Sequence, residues 1–231
     1  MAKHKLRQFA EIESFKNVFH HLQHSENIQE FKLKGKWNSA YFKNSNPLVL
    51  ELGCGKGEYS LGLAANHPKK NFIGIDLKGN RIWRGAKTAL ETNLKNVAFL
   101  RTRIENIESS FAPQEVDEIW ITFPDPQPQI ARIKKRLTSP RFLQHYKNIL
   151  KPGGSIHLKT DSELLYRYTL EIIEEHKLTL QQHSSDLYAE LSSGTLEAQK
   201  NYPIETFSIQ TFYEKKFSEK GFKICYIRFS L

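Results

Sequence analysis

Two cysteines in 231 residues, Cys54 and Cys225, make neither a disulfide framework nor a zinc set. The nine histidines do not gather with cysteines or carboxylates at ligand spacing, and His20, His21 and His24 read as a solvated helix face. No metal is expected. No apolar stretch approaches the ~20 residues needed to span a bilayer. The opening stretch MAKHKLRQFAEIESF is basic but lacks the apolar centre of a secretory signal, so a cytoplasmic location is expected. Internal repeats and low-complexity tracts are also missing, which argues against a solenoid and for an ordinary globular domain.

One glycine-rich segment dominates what is present. Leu48-Val49-Leu50 and Leu52 form an apolar run, interrupted by Glu51, that ends at Gly53, Gly55 and Gly57. This pattern predicts a buried strand, a tight turn and a helix. A second run, Phe72 to Ile75, ends in Asp76, nineteen residues after Gly57. An acid at the tip of the next strand is suited to the hydroxyls of a ribose. A dinucleotide loop has a third glycine three residues after the second, where this chain has Glu58. Carboxylates at Glu51 and Glu58 suit a sulfonium and an ammonium better than a pyrophosphate. The E-x-G-x-G-x-G spacing resembles the S-adenosylmethionine loop of class I methyltransferases, which implies that Glu51, Gly53, Gly55 and Asp76 hold that cofactor, and Glu58 disfavours a dehydrogenase.

From residue 47 onward, strand and helix alternate. Strands are predicted at 96–100, 119–123 and 155–160, with helices from Asp76 to about Asn93, from Ser139-Pro140, and from Thr160 to about Glu175. Ser139-Pro140 has the signature of an N-cap and first helical position. Thr160 with Glu163 has capping-box spacing. Residues 206–213 and 222–230 alternate as an antiparallel pair. The expected fold is α/β: a doubly wound, mainly parallel seven-stranded sheet with a C-terminal antiparallel pair, its ligand at the strand tips. Residues 1–46, with Lys3, Lys5, Arg7 and an aromatic patch at Trp37, Tyr41 and Phe42, read as a basic and aromatic extension to a domain at 47–231.

Glu51, Asp76, Asp125 and Asp161 all fall at predicted strand tips. Asp125 lies in Phe123-Pro124-Asp125-Pro126-Gln127-Pro128, where prolines restrict the backbone repeatedly. Downstream, Arg132, Lys134, Lys135, Arg136 and Arg141 place five cations in ten residues with no acid. The chain as a whole carries 34 Lys and Arg against 25 Asp and Glu, a net charge of +9. An acid-free run beside a site tip, in a chain of that charge, points to a phosphate-bearing partner.

The set LELGCGKG, FIGID, NVAFLR, F-x-DP-x-P, KKRLTSPRF, LKPGGSIHLKTD and TFYEKKF resembles the bacterial tRNA (guanine-N7-)-methyltransferases over nearly the whole chain. The resemblance implies methyl transfer from S-adenosylmethionine to N7 of a guanosine in the tRNA variable loop. It implies that Asp125 serves both cofactor and target guanine. It places Asp161 and the Thr211–Glu214 box, including Tyr213, on the substrate, with Gln129, Arg132, Lys135 and Arg136 beside them. The family's usual acid after the third predicted strand aligns with Arg103, so adenine contact there falls to Arg103 and the backbone around Ile104. Tryptophan is usual where Gln127 stands, a lysine pair where Gln129-Ile130 stands, and histidine where Arg132 stands. Two other readings share these residues: a methyltransferase acting on another RNA or a small molecule, and a non-catalytic RNA-binding protein on the same scaffold.

Overall fold

The computed structural model describes residues 2–22, 29–192 and 202–231. His24 and the side chains of Lys3 and Lys5 lie outside what is described. The described strands are β1 (Val18–His20), β2 (Leu48–Leu52), β3 (Asn71–Asp76), β4 (Val97–Arg101), β5 (Val116–Thr122), β6 (Leu150–Thr160), β7 (Thr179–Ser184) and β8 (Cys225–Ser230). They form one sheet in the order β1-β4-β3-β2-β5-β6-β8-β7. All neighbours are parallel except β8, which runs antiparallel to both β6 and β7.

Strands β2, β3 and β4 are buried on both faces, as in a sheet covered on both sides. Leu48, Leu50 and Leu52 of β2 pack into one core with Ile73, Ile75, Ile119, Ile121 and the helices α4 (Pro140–Ile149) and α5 (Glu163–Glu175). Val49 points to the other core, with Phe72, Phe99 and Trp120 beneath α2 (Glu58–Asn66) and α3 (Gly79–Glu91). The buried faces of α3 (Ile82, Ala86, Ala89) and α4 (Phe142, Leu143, Tyr146, Ile149) are those the periodicity predicts.

The sheet has eight strands among the described residues, where seven are predicted. The additional one is β1, a three-residue strand that pairs with β4 at the edge. Residues before 47 also reach the core: Trp37 is fully buried, stacks on Phe111 at 5.6 Å, and donates its indole N–H to the Ser110 carbonyl. The predicted strand at 206–213 is instead helical: after α1 (Ala2–Ile12) and α6 (Leu187–Ser192) earlier in the chain, it forms α7 (Glu205–Ser208) and the start of α8 (Phe212–Ser218). The antiparallel partner of β8 is β7, whose sequence TLQQHS is largely exposed and polar. The cap of α5 is Ser162, whose hydroxyl accepts from Leu165 N; the Thr160 hydroxyl, two residues earlier, accepts from Ser162 N. Pro140 opens α4 as predicted, but the Ser139 hydroxyl donates to the Lys134 carbonyl instead of capping.

α2 and α3 approach through two glycines. A Cβ on Gly57 falls 2.5 Å from the Phe99 ring, and one on Gly85 falls 2.6 Å from the Lys56 carbonyl and 3.1 Å from Gly57 Cα. Gly57 also has φ +72, which side chains rarely adopt. Two of the obstacles at Gly85 are backbone atoms and cannot swing aside. Gly85→Ala is expected to destabilise the fold by about 1–3 kcal/mol, the scale of overpacking. Urea unfolding of the variant beside wild type measures it.

Candidate active site at the strand tips

The strand order reverses between β2 and β5, and in open α/β sheets ligands bind beyond the carboxyl ends at such a point. The β2 loop is pinned by its neighbour. Gly53 N and Cys54 N both donate to the Ile75 carbonyl, at 2.8 and 2.9 Å. Asp76 closes the arrangement: Oδ2 accepts from Gly55 N at 3.0 Å and Oδ1 from Lys78 N at 2.8 Å. The far side of the loop is open. A Cβ on Gly53 meets nothing within 4 Å, so that face is free for a ligand to lie against.

A cavity of about 290 Å³ occupies this space, lined by Gly53, Asp76, Arg103, Ile104, Glu105 and Gln127 among others. Its donor set is an acid at a strand tip, an open glycine backbone and an apolar wall at Ile104 and Leu137. That set fits a nucleoside with a cationic arm. Of the predicted cofactor residues, Gly53, Asp76, Arg103 and Ile104 come together here. Glu51 does not face the cavity. It is buried, with Oε2 accepting from Ser60 N at 2.8 Å and from the Ser60 hydroxyl, and Oε1 from Thr122 Oγ1 at 2.7 Å. It ties β2 to α2 and β5 behind the loop. Glu58 accepts from Phe212 N at 3.1 Å and so joins the start of α2 to α8.

Asp125 stands exposed at the end of β5, with Oδ1 accepting from Gln127 N at 3.0 Å. Phe123 and Gln127 on either side have φ +48 and +45, unusual for residues with side chains. Such backbone persists only when its surroundings over-determine it, and here they do. Phe123 N donates to the Lys159 carbonyl at 2.8 Å. The Arg136 guanidinium donates to the carbonyls of Pro126 and Gln127 at 3.1–3.3 Å and lies 4.4 Å from the Tyr168 ring centre. Arg136 is buried, so its role is to brace the Asp125 tip, unlike the outward grip expected of the whole basic run. Gln129, Arg132, Lys134, Lys135 and Arg141 are exposed, most of them on a 3-10 turn over Ile130–Lys135, and Lys135 also borders the cavity.

Asp161 lies past β6 in a second cleft of about 650 Å³, with Tyr166, Arg167, Phe222 and Lys223. Burial pushes its carboxyl above the usual range. In the Thr211–Glu214 box, Tyr213 is exposed, but Thr211 and Glu214 are buried in a reciprocal cap of α8. Glu214 also pairs with Lys159 at 2.6 Å, and both side chains are wholly enclosed.

The sequence model described as "Putative methyltransferase" matches residues 45–227. A tRNA (guanine-N(7)-)-methyltransferase of Christiangramia forsetii is 53% identical over 232 residues, covering 100% of this chain and 99% of its own. One from Bacteroides thetaiotaomicron is 45% identical, covering 100% and 87%. The chain belongs to the tRNA (guanine-N(7)-)-methyltransferase family. Among solved structures it resembles the 16S rRNA methyltransferase KamB, with a TM-score of 0.62 at 15% identity over 89% of this chain and 96% of that one. It also resembles a SAM-dependent methyltransferase from Aquifex aeolicus, with a TM-score of 0.51 at 16% identity over 86% and 94%. At those identities the likeness shows a shared fold: the class I methyltransferase sheet.

Two residues of this family member were not legible as site components. Glu105, on a 3-10 turn over Ile104–Ser109, brings a carboxylate to the cavity two residues after Arg103, where the usual acid is replaced. Lys159 connects the Asp125 tip to α8. Among the described residues no group of three or more His, Cys, Asp or Glu is arranged to hold a metal, and no helix is long and apolar enough to cross a membrane.

Burial raises the Glu51 carboxyl from 4.5 to about 7, opposed by the Ser60 and Thr122 hydrogen bonds. The folded protein therefore keeps this proton to about pH 7, while the unfolded chain releases it near 4.5. Stability from this group is full below about pH 4.5 and declines as pH rises to 7, by on the order of 3 kcal/mol. Glu51→Gln removes the ionisation. Its unfolding free energy is expected to fall less between pH 5 and pH 8 than that of wild type; equal falls would disprove the assignment.

Proposed function

We propose that this chain transfers the methyl group of S-adenosylmethionine to N7 of a guanosine in tRNA, in the variable loop as its family resemblance implies. The observation that carries the reading is an open glycine–aspartate cavity bordered by Gln127, whose backbone N–H donates to the exposed Asp125 on the same braced tip. Family membership and the outward-facing cations beside that tip support it.

The cofactor, when bound, supplies an electrophilic methyl on a sulfonium. Asp76 would hold its ribose, the Gly53–Gly55 backbone its amino-acid arm, and Ile104, Arg103 and Glu105 its adenine end. Glu51 acts through Ser60 and Thr122 by holding the loop in shape. Guanine N7 is an acceptor on the major-groove edge and carries no proton. Its lone pair attacks without a general base, so alignment and charge are what the protein must provide. Asp125 accepts from the guanine N–H edge and stands near the positive charge that develops on the ring. Asp161, in the second cleft, and the exposed Tyr213 would meet the RNA. Arg132, Lys134, Lys135 and Arg141 meet tRNA phosphates, which positions the RNA without reading its sequence.

Incubation with labelled S-adenosylmethionine and unmodified bulk tRNA, followed by mapping of the methylated base, tests the reading. Label on a small molecule or on rRNA alone would refute it. Asp125→Asn is expected to lower single-turnover methyl transfer by ~10²–10³ at saturating cofactor, the scale of losing one preorganised charge. Asp125→Ala should be slower still, because the base also loses its alignment. Near wild-type rates in both variants would remove Asp125 from the chemistry.

The two kinds of cation in the basic run separate in a salt titration. Neutralising Arg132, Lys134 and Arg141 together is expected to flatten the log–log salt dependence of tRNA binding by ~2–3. Arg136→Gln should leave that slope unchanged and slow methyl transfer, because it loosens the tip.

A further inference from the structure

The C-terminal helix α8 shows its aromatic side chains to solvent. Phe212 is 54% exposed, Tyr213 49% and Phe222, just past the helix, 52%. Phe217 links them: Tyr213 and Phe217 stack with centroids 6.3 Å apart, and Phe217 meets Phe222 edge-on at 5.8 Å. Phe212 meets Tyr213 edge-on at 5.8 Å. The rings thus form a continuous track. Isolated exposed apolar residues need no explanation, but a contiguous patch marks an interaction surface.

Both ends of the track touch the site. At one end, Phe212 N donates to Glu58, and Lys56 of the glycine loop holds its ammonium 5.0 Å from the Phe212 ring centre. At the other end, Phe222 lines the 650 Å³ cleft with Asp161 and Arg167. Exposed lysines flank the rings at 215, 216, 220 and 223. Charged residues are depleted at the centre of protein interfaces, whereas rings interleaved with lysines are what single-stranded nucleic acid binds. Below the track, the buried Glu214 cap and its pairing with Lys159 hold the helix rigidly.

We propose that the Phe212–Tyr213–Phe217–Phe222 track is a stacking surface for unpaired tRNA bases next to the target guanosine. It rests on the tRNA reading of the site. A guanosine must leave its own stack to reach a methyl donor held behind Asp125, and its neighbours are then unstacked. Rings reaching from the glycine loop to the Asp161 cleft receive those neighbours, and the lysines receive the phosphates between them. Stacking is indifferent to base identity, so the surface serves tRNAs whose flanking nucleotides differ.

The test uses the full chain and a full-length tRNA transcript carrying 2-aminopurine beside the target guanosine. Wild type is expected to quench its fluorescence on binding. Phe212→Leu, Tyr213→Leu and Phe222→Leu should each reduce the quenching and weaken tRNA binding about 10- to 100-fold, with KM raised and kcat at saturating tRNA largely kept. Tyr213→Phe should quench as wild type does, because the ring and not the hydroxyl stacks. Circular dichroism and S-adenosylmethionine affinity should be unchanged in all four. Wild-type quenching and affinity in the leucine variants, while wild type methylates tRNA, would overturn the stacking surface and leave the function standing. Failure of wild type to methylate tRNA would remove the function itself. Intact RNA binding with loss of self-association in sedimentation would reassign the track to a contact between copies of this chain.

Discussion

Lys159 and Glu214 sit 2.6 Å apart with neither side chain reaching water, and much of the substrate side of the molecule is arranged around them. Burying both charges carries a desolvation penalty of several kcal/mol per ion, tolerable only where the remaining hydrogen-bonding capacity is used. Here it is used. Glu214 accepts from Tyr188 OH at 2.5 Å and from Thr211 N, while Lys159 donates to the Ile209 carbonyl and faces the rings of Tyr59 and Phe123. Burial pulls the Lys159 ammonium below its usual range and the Glu214 charge opposes that shift. Removing either partner would leave the other as an uncompensated charge in the core.

The same residue reaches the Asp125 tip through its backbone. The Lys159 carbonyl receives the N–H of Phe123, the first of the two left-handed residues that bracket Asp125. One position on β6 thus holds the tip of β5 with its main chain and seats α8 with its side chain. Arg136 completes the clamp from the opposite direction. On the proposed mechanism, a carboxylate acting by position and charge would benefit from being fixed in this way.

The parts of this arrangement that depend on local pattern were legible in the sequence. The apolar runs ending at Gly53 and Asp76 specify strands and a loop by themselves, and Asp76 falls at the cavity as its spacing predicts. The parts that depend on distant partners were not. Residues 206–213 alternate like a strand, yet Thr211 caps Glu214 and Glu214 is drawn to Lys159, fifty-five positions away, so a helix forms. The β1 segment is too short to carry a period, and β7 is too polar, because an edge strand need not bury both faces. In the basic run, identical chemistry hides opposite placements: Arg132 is outside and Arg136 is inside. Glu105 enters the cavity only because a 3-10 turn rotates it there, and no hydrophobic period marks that turn.

Charge of both signs lines the strand tips. Asp76 and Glu105 share one cavity with Arg103 and Lys135, Asp125 stands exposed nearby, and Asp161 shares the second cleft with Arg167 and Lys223. A uniformly basic site would hold RNA well but would repel a sulfonium and draw the phosphate backbone inward. A uniformly acidic one would hold the sulfonium and reject the RNA. With both signs side by side, the cations suit phosphates and the carboxylates disfavour phosphate next to them. What suits the carboxylates is an uncharged base that offers N–H donors. Guanine meets that condition on one edge and presents its proton-free N7 on another. On the proposed function, such a mixed pattern would favour the base over the phosphate at the carboxylates.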